Sequence, residues 1–138
     1  MLTKNQEKLI RSLALRKNRK KSGLFVAEGL KLVTDLISAG LTVENIFLTE
    51  GSSEAFAATG QTIEISIQDM KSISFLETPS PVLALFKQPV RLSEFQSDIG
   101  LTLLLDRIQD PGNMGTLLRT ALWYGVEHIG LALSLIHI

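Results

Sequence analysis

Apolar residues Leu2, Leu9, Ile10 and Leu13 recur near the helical period, which predicts an amphipathic helix over residues 3–15. This helix runs into Arg16-Lys17-Asn18-Arg19-Lys20-Lys21-Ser22-Gly23, where apolar residues vanish and charge repulsion builds. Residues 24–27 form a short apolar run that reads as a buried strand. After Glu28-Gly29, residues 30–39 carry Leu30, Val33, Leu36 and Ile37 on one helical face, and Gly40 is placed to stop that helix. The alternation continues with a strand over 45–49, a short helix over 53–58 and an alternating strand over 62–65. Ile67, Met70, Ile73 and Leu76 mark a helix over 66–76, with Pro79 and Pro81 beyond it because proline cannot continue a helix. The strongest strand of the first half spans 82–86.

Residues 87–100 lack a clean period and contain Pro89 and Gly100. A linker is placed over 91–100, between a first domain at 1–90 and a second at 101–138. Residues 101–106 resume as a nearly continuous apolar strand, the pattern of a parallel sheet covered on both faces. A loop over 107–112 leads to a helix from Asn113 or Met114 to Tyr124, closed by Gly125, and residues 126–130 form the next strand. This is one βαβ unit, which by itself cannot cover both faces of its sheet. Strands alternating with helices throughout put the chain in the α/β class.

Composition narrows the class. With 45% hydrophobic and 20% charged residues a packed core is expected. No apolar run reaches the roughly 18–20 residues of a membrane span, and the polar, basic N-terminus has no signal-peptide core. The chain has no cysteine, so thiolate metal sites and disulfides are excluded, and the cytoplasm is the default location. The net charge of zero conceals an asymmetry. Eight of the 14 basic residues but one of the 14 acidic residues fall within 1–22, leaving +7 there and −7 elsewhere. Such segregation suits an arm that seeks a polyanion, and suits a solvated helix face equally well.

The stretch from Leu104 to Ala121 carries the candidate chemistry. It is a loop at the carboxyl end of a parallel strand that opens a helix, where α/β folds place ligands. Pro111-Gly112 makes a sharp turn, Asn113 can cap the helix, and Gly115 permits close approach. Arg119 can reach back toward the helix start, because helical side chains lean toward the N-terminus. Helix N–H groups and a guanidinium together would favour a phosphate or a developing oxyanion. Neither a P-loop nor a dinucleotide fingerprint is present. Asp106 and Asp110 have no local histidine or third carboxylate, so they read as strand-end and turn residues rather than metal ligands.

The pattern Asp-x-x-x-Asp-Pro-Gly-Asn-x-Gly-x-x-x-Arg-x-Ala over 106–121 resembles the first signature motif of SpoU-type RNA 2′-O-ribose methyltransferases, of the SPOUT superfamily. Phe25-x-x-Glu28-Gly29 and Thr78-x-x-Pro81-Val82-Leu83-Ala84 resemble the domain that precedes catalysis in that family. The resemblance implies a ribosomal-protein-like α/β/α substrate-binding domain at 1–90. At 101–138 it implies the first βαβ unit of a SPOUT α/β-knot domain, truncated after the first catalytic motif. It implies methyl transfer from S-adenosylmethionine to a ribose 2′-hydroxyl of rRNA or tRNA, with Asn113 and Arg119 as catalytic residues. Pro111, Gly112 and Gly115 would support the motif, and Arg16, Lys17, Arg19, Lys20, Lys21 and Glu28 would bind RNA. The complete enzyme is expected to be a homodimer. The cofactor is expected in segments that follow residue 138, so the fragment is expected to be inactive and to bind none. Leu122-Trp123-Tyr124 is more apolar than the family pattern and suits core packing. The tail at 131–138 does not resemble the family's continuation, and His128 and His137 are read as structural. A stand-alone RNA-binding module without catalysis, and an α/β protein with no RNA partner, are the alternatives.

Overall fold

The computed structural model describes residues 1–50, 56, 62–89 and 100–132. The chain divides into two compact units, Met1–Val90 and Arg91–Ile138. The predicted linker, apart from Gly100, lies outside the described residues, as do the predicted helix at 53–58 apart from Phe56 and the end of the tail.

In the first unit a four-stranded sheet has the order β1-β4-β2-β3, formed by β1 (Leu24–Glu28), β2 (Val43–Leu48), β3 (Thr62–Glu64) and β4 (Val82–Lys87). The β4 strand runs antiparallel to both β1 and β2, and β2 runs parallel to β3. Side chains alternate across a strand with period two, and here the two sets enter two cores. Phe47, Leu83 and Leu85 pack with Ile10 and Leu13 of the N-terminal segment and with Met70 and Ile73 of α4 (Ile67–Ile73). Ile46, Leu48, Val82, Ala84 and Phe86 face the other way, against Val33 of α3 (Leu30–Ser38). Helices thus cover both faces of the sheet. The α/β/α sandwich is present.

The N-terminal segment departs from the reading of one helix running into a charged stretch. It forms α1 (Lys4–Ser12) and a separate α2 (Arg16–Ser22). Thr3 and Gln6 close α1 with a reciprocal capping box. The corner between the helices is built by two polar residues, one of them, Arg19, read from sequence as an RNA contact. Asn18 Nδ2 donates to Ser12 O at 2.9 Å, and Arg19 Nη1 donates to Leu13 O at 2.8 Å and Ala14 O at 2.7 Å. The Arg19 bonds satisfy the Leu13 and Ala14 carbonyls just beyond the end of α1.

Gly40, with φ of 81°, closes α3 as expected. Helix α4 stops at Ser74, earlier than the predicted Leu76, so Leu76 is exposed, and Ile67 at its start is exposed too. Ser74 turns extended and its hydroxyl donates to Glu28 Oε1 at 2.6 Å, an arrangement that continuing the helix would preclude.

The second unit contains β5 (Thr102–Leu105), α5 (Pro111–Trp123) and β6 (His128–Leu131), with β5 and β6 parallel. It is a βαβ unit. Leu105 and Ala121 are its buried apolar residues among those described. Leu122, Trp123 and Tyr124, read from sequence as core packing, are all exposed, Trp123 at 88%. They sit at the C-terminal end of α5, where no described element covers them.

Candidate functional site

The motif loop joins the carboxyl end of β5 to α5. Its backbone takes an unusual course at Arg107, a non-glycine residue with φ of 56°, a left-handed conformation that is uncommon outside glycine. The Arg107 Nε lies 3.6 Å from Asp106 Oδ2 in an exposed pair. The helix begins at Pro111, two to three residues before the predicted start. Asp110, not Asn113, is the N-cap, and its Oδ2 accepts from Asn113 N at 2.6 Å. Pro111 suits the first helical position because its missing N–H would have had no partner there. An Asp-Pro pair ahead of an apolar-periodic segment is the signal that would have placed the cap correctly.

This cap changes the electrostatics expected of the helix start. A carboxylate already accepts from the Asn113 N–H, so an incoming anion meets a negative charge instead of open donors. The donors left for an anion are therefore side chains. Asn113 uses its backbone N–H for the cap, while its side-chain amide makes no hydrogen bond among the described residues. Arg119 folds back toward the helix start, as its position predicted. Its Nη2 donates to Thr116 Oγ1 at 3.3 Å, and its Nη1 lies over Gly115. A Cβ on Gly115 would come within 3.3 Å of that nitrogen, so glycine leaves room for the guanidinium. A Cβ on Gly112 would meet Asp110 Oδ2 at 3.0 Å, so this glycine makes room for the cap.

A cleft of about 480 Å³ opens beside this turn, lined by Arg107, Ile108, Gln109, Asp110, Asn113, Thr116 and Leu117. Asn113 lies in its wall, and Thr116 connects that wall to Arg119. Thr116 and Arg107 were not singled out from sequence. Thr116 is one turn from Arg119 on the same face, a spacing that could have flagged it. Among the described residues no group of three or more His, Cys, Asp or Glu is placed to hold a metal.

The first unit holds the other predicted residues. Arg16, Lys17, Lys20 and Lys21 are exposed on α2, with no ion-pair partner among the described residues. Arg19 is half-buried and committed to the α1–α2 corner. Glu28 points into the protein. Its Oε1 accepts from Ser74 Oγ and from Ser80 N at 3.1 Å, and its Oε2 accepts from Phe75 N at 3.1 Å. A carboxylate so engaged organises residues 74–80 rather than touching a ligand. Gly29 then turns the chain into α3 at φ of 114° and ψ of 135°, a conformation that side chains other than glycine's do not tolerate. The Glu28-Gly29 pair is therefore a structural joint. Among the described residues no helix is long and apolar enough to cross a membrane.

Comparison with known proteins adds to this geometry. Residues 4–84 match the family described as the MRM3-like substrate binding domain. The 23S rRNA (guanosine(2553)-2'-O)-methyltransferase RlmP of Bacillus subtilis is 32% identical over 93% of this chain and 52% of its own length. The human mitochondrial rRNA methyltransferase 3 is 29% identical over 80% of this chain and 29% of its own. A solved TrmH-family structure from Porphyromonas gingivalis has a TM-score of 0.81 at 37% identity, over 98% of this chain and 54% of its own. The AdoMet-bound rRNA methyltransferase of Sinorhizobium meliloti has a TM-score of 0.74 at 32% identity, over 95% and 52%. The chain thus spans about half or less of the length of these relatives.

Proposed function

Because the chain belongs to the SpoU-type RNA methyltransferases, with an MRM3-like substrate binding domain at residues 4–84, we propose that it contributes the RNA-engaging half of a ribose 2′-O-methyltransferase. The observation that carries this reading is Arg119 folded over Gly115 beside the wall that presents Asn113. That arrangement offers a fixed positive charge and a free amide beside a cleft. Together they suit a ribose hydroxyl with its neighbouring phosphate.

The substrate is rRNA or tRNA, and the complete protein is a homodimer in the cytoplasm. S-adenosylmethionine supplies the methyl group when bound. The described cleft presents Arg107, Gln109 and Asn113 to a ribose and its phosphate, while the Asp110 carboxylate is taken up by its helix cap. Residues 100–132 are therefore assigned to the RNA side, and the chain alone is expected to bind no cofactor. A guanidinium is a poor general base, so the role of Arg119 is to hold the phosphate and stabilise the emerging alkoxide, not to remove the proton. Asn113 orients the ribose through its amide. In the first unit, Arg16, Lys17, Lys20 and Lys21 hold RNA through phosphates.

Two measurements test this. In a methyl-transfer assay with the full-length protein on rRNA, Arg119→Ala should lose roughly a hundredfold or more in kcat, the scale of a lost oxyanion donor. For the chain itself, alanine at Arg16, Lys17, Lys20 and Lys21 should weaken RNA binding. It should also flatten the log–log salt dependence by about one unit per lost phosphate contact. Full activity of Arg119→Ala would remove the catalytic assignment, and an unchanged salt slope would remove the RNA arm.

A further inference from the structure

A second cleft, of about 430 Å³, lies in the first unit and is lined by Leu13, Ala14, Arg19, Phe25, Val26 and Phe75. It forms where the α1–α2 corner, strand β1 at the end of the sheet order and the segment 74–80 come together. We propose that this cleft receives one unstacked nucleobase of the RNA, stacked on Phe75, while the exposed cations of α2 hold the flanking phosphates. This deepens the RNA-binding reading above and rests on it.

Three observations converge. Phe75 is 47% exposed, yet it is not loosely hung, because its backbone N–H donates to Glu28 Oε2 and the preceding Ser74 hydroxyl donates to Glu28 Oε1. A carboxylate with three donors thus fixes a segment whose side chains at Phe75 and Leu76 stay largely in solvent. The opposite wall is equally fixed. Arg19 is held by two carbonyls, and Phe25 stacks on the buried Phe86 with ring centroids 5.6 Å apart and planes at 22°. An aromatic ring and a guanidinium held at one cleft are the surfaces on which proteins stack splayed bases.

Charge selects the occupant. The helix that supplies Arg19 has no acidic residue and carries Arg16, Lys17, Lys20 and Lys21, all exposed. An apolar peptide would gain nothing from those four charges, whereas a nucleotide strand would meet them with its phosphates and the cleft with a base. Glu28 is then a positioning residue, acting through Phe75.

The test titrates the 138-residue chain into a single-stranded oligoribonucleotide carrying one 2-aminopurine, and into a fully base-paired RNA of the same length. Wild type should bind the single strand more tightly and change the 2-aminopurine fluorescence. Phe75→Ala should weaken that binding about ten- to a hundredfold and abolish the fluorescence change, leaving the salt slope as it was. Phe75→Trp should restore both. Glu28→Gln should reduce the fluorescence change at an unaltered salt slope, with circular dichroism confirming that each variant is folded. If Phe75→Ala binds and alters fluorescence as wild type does, or if paired RNA is preferred, the nucleobase site is overturned. Absence of any salt-dependent RNA binding by wild type would overturn the underlying RNA reading instead.

Discussion

The two units use the same kind of strand to different ends. In the first, β4 is buried along Val82–Phe86, because α1 and α4 cover one face of the sheet and α3 the other. In the second, β5 is as apolar in sequence, yet Leu105 is buried while Leu104 is 75% exposed. Thr102 Oγ1 is shielded there and has no hydrogen-bond partner among the described residues. An apolar run reports that a strand belongs to a sheet. Whether it is buried depends on the layers around it, which lie elsewhere in sequence. The first unit has its layers and carries the exposed cations of α2 on a finished frame. The second displays a chemical loop on a frame whose described part buries little.

The sharpest way to break this contrast is to cut into each core. Phe86→Ala, at a site with no exposure, should cost about 3–5 kcal/mol in urea denaturation. Leu105→Ala, at 7% exposure in a unit whose other buried apolar residue among those described is Ala121, should cost about 2 kcal/mol. Hydrogen exchange should run in parallel, with β2 and β4 amides protected far longer than those of β5 and β6. Equal costs and equal protection would mean that the second unit is as well packed as the first.

Next in size is Glu28. Alanine there leaves the Phe75 and Ser80 amides and the Ser74 hydroxyl without their acceptor, an expected loss of about 2–3 kcal/mol. The matching carboxylate in the second unit, Asp110, serves a single helix cap. Asp110→Ala should cost about 1 kcal/mol, read from the melting of α5 by circular dichroism. A larger effect at Asp110 than at Glu28 would reverse the ranking.

These two carboxylates also mark where the sequence was legible. Beyond the N-terminal segment, the order of the described strands and helices, the α/β/α layering and the motif loop followed from periodicity and from the family pattern. Arg119 folding back over Gly115 followed from the direction of helical side chains. What escaped was long-range or local polar bonding. Glu28 meets donors 46–52 residues away, a pairing that no local pattern carries, so it read as an RNA contact. The α1–α2 corner depends on Asn18 and Arg19 bonding to carbonyls about six residues back, inside a stretch that charge left open between a polyanion-seeking arm and a solvated face. The Asp110 cap was within reach, but Asn113 competed for the role and the Asp-Pro signal went unused.

The smallest stability effect is expected at the residue with the largest chemical one. Two arginines make the comparison. Arg19 donates to two backbone carbonyls at 2.7 and 2.8 Å, and Arg19→Ala should cost about 1–2 kcal/mol because those carbonyls lose a charged donor. Among the described residues Arg119 donates only to the Thr116 hydroxyl, at 3.3 Å, and otherwise rests over a glycine. Its removal takes away little packing and no buried bond, so Arg119→Ala should change stability by no more than about 0.5 kcal/mol, as at an ordinary surface position. In the same preparation of full-length protein, methyl transfer should collapse. Together the two results would mark a guanidinium that the fold does not need, although Gly115 leaves room for it and Thr116 accepts from it. If Arg119→Ala instead unfolded the second unit, its position would be explained by structure alone, and the asymmetry between the two arginines would disappear.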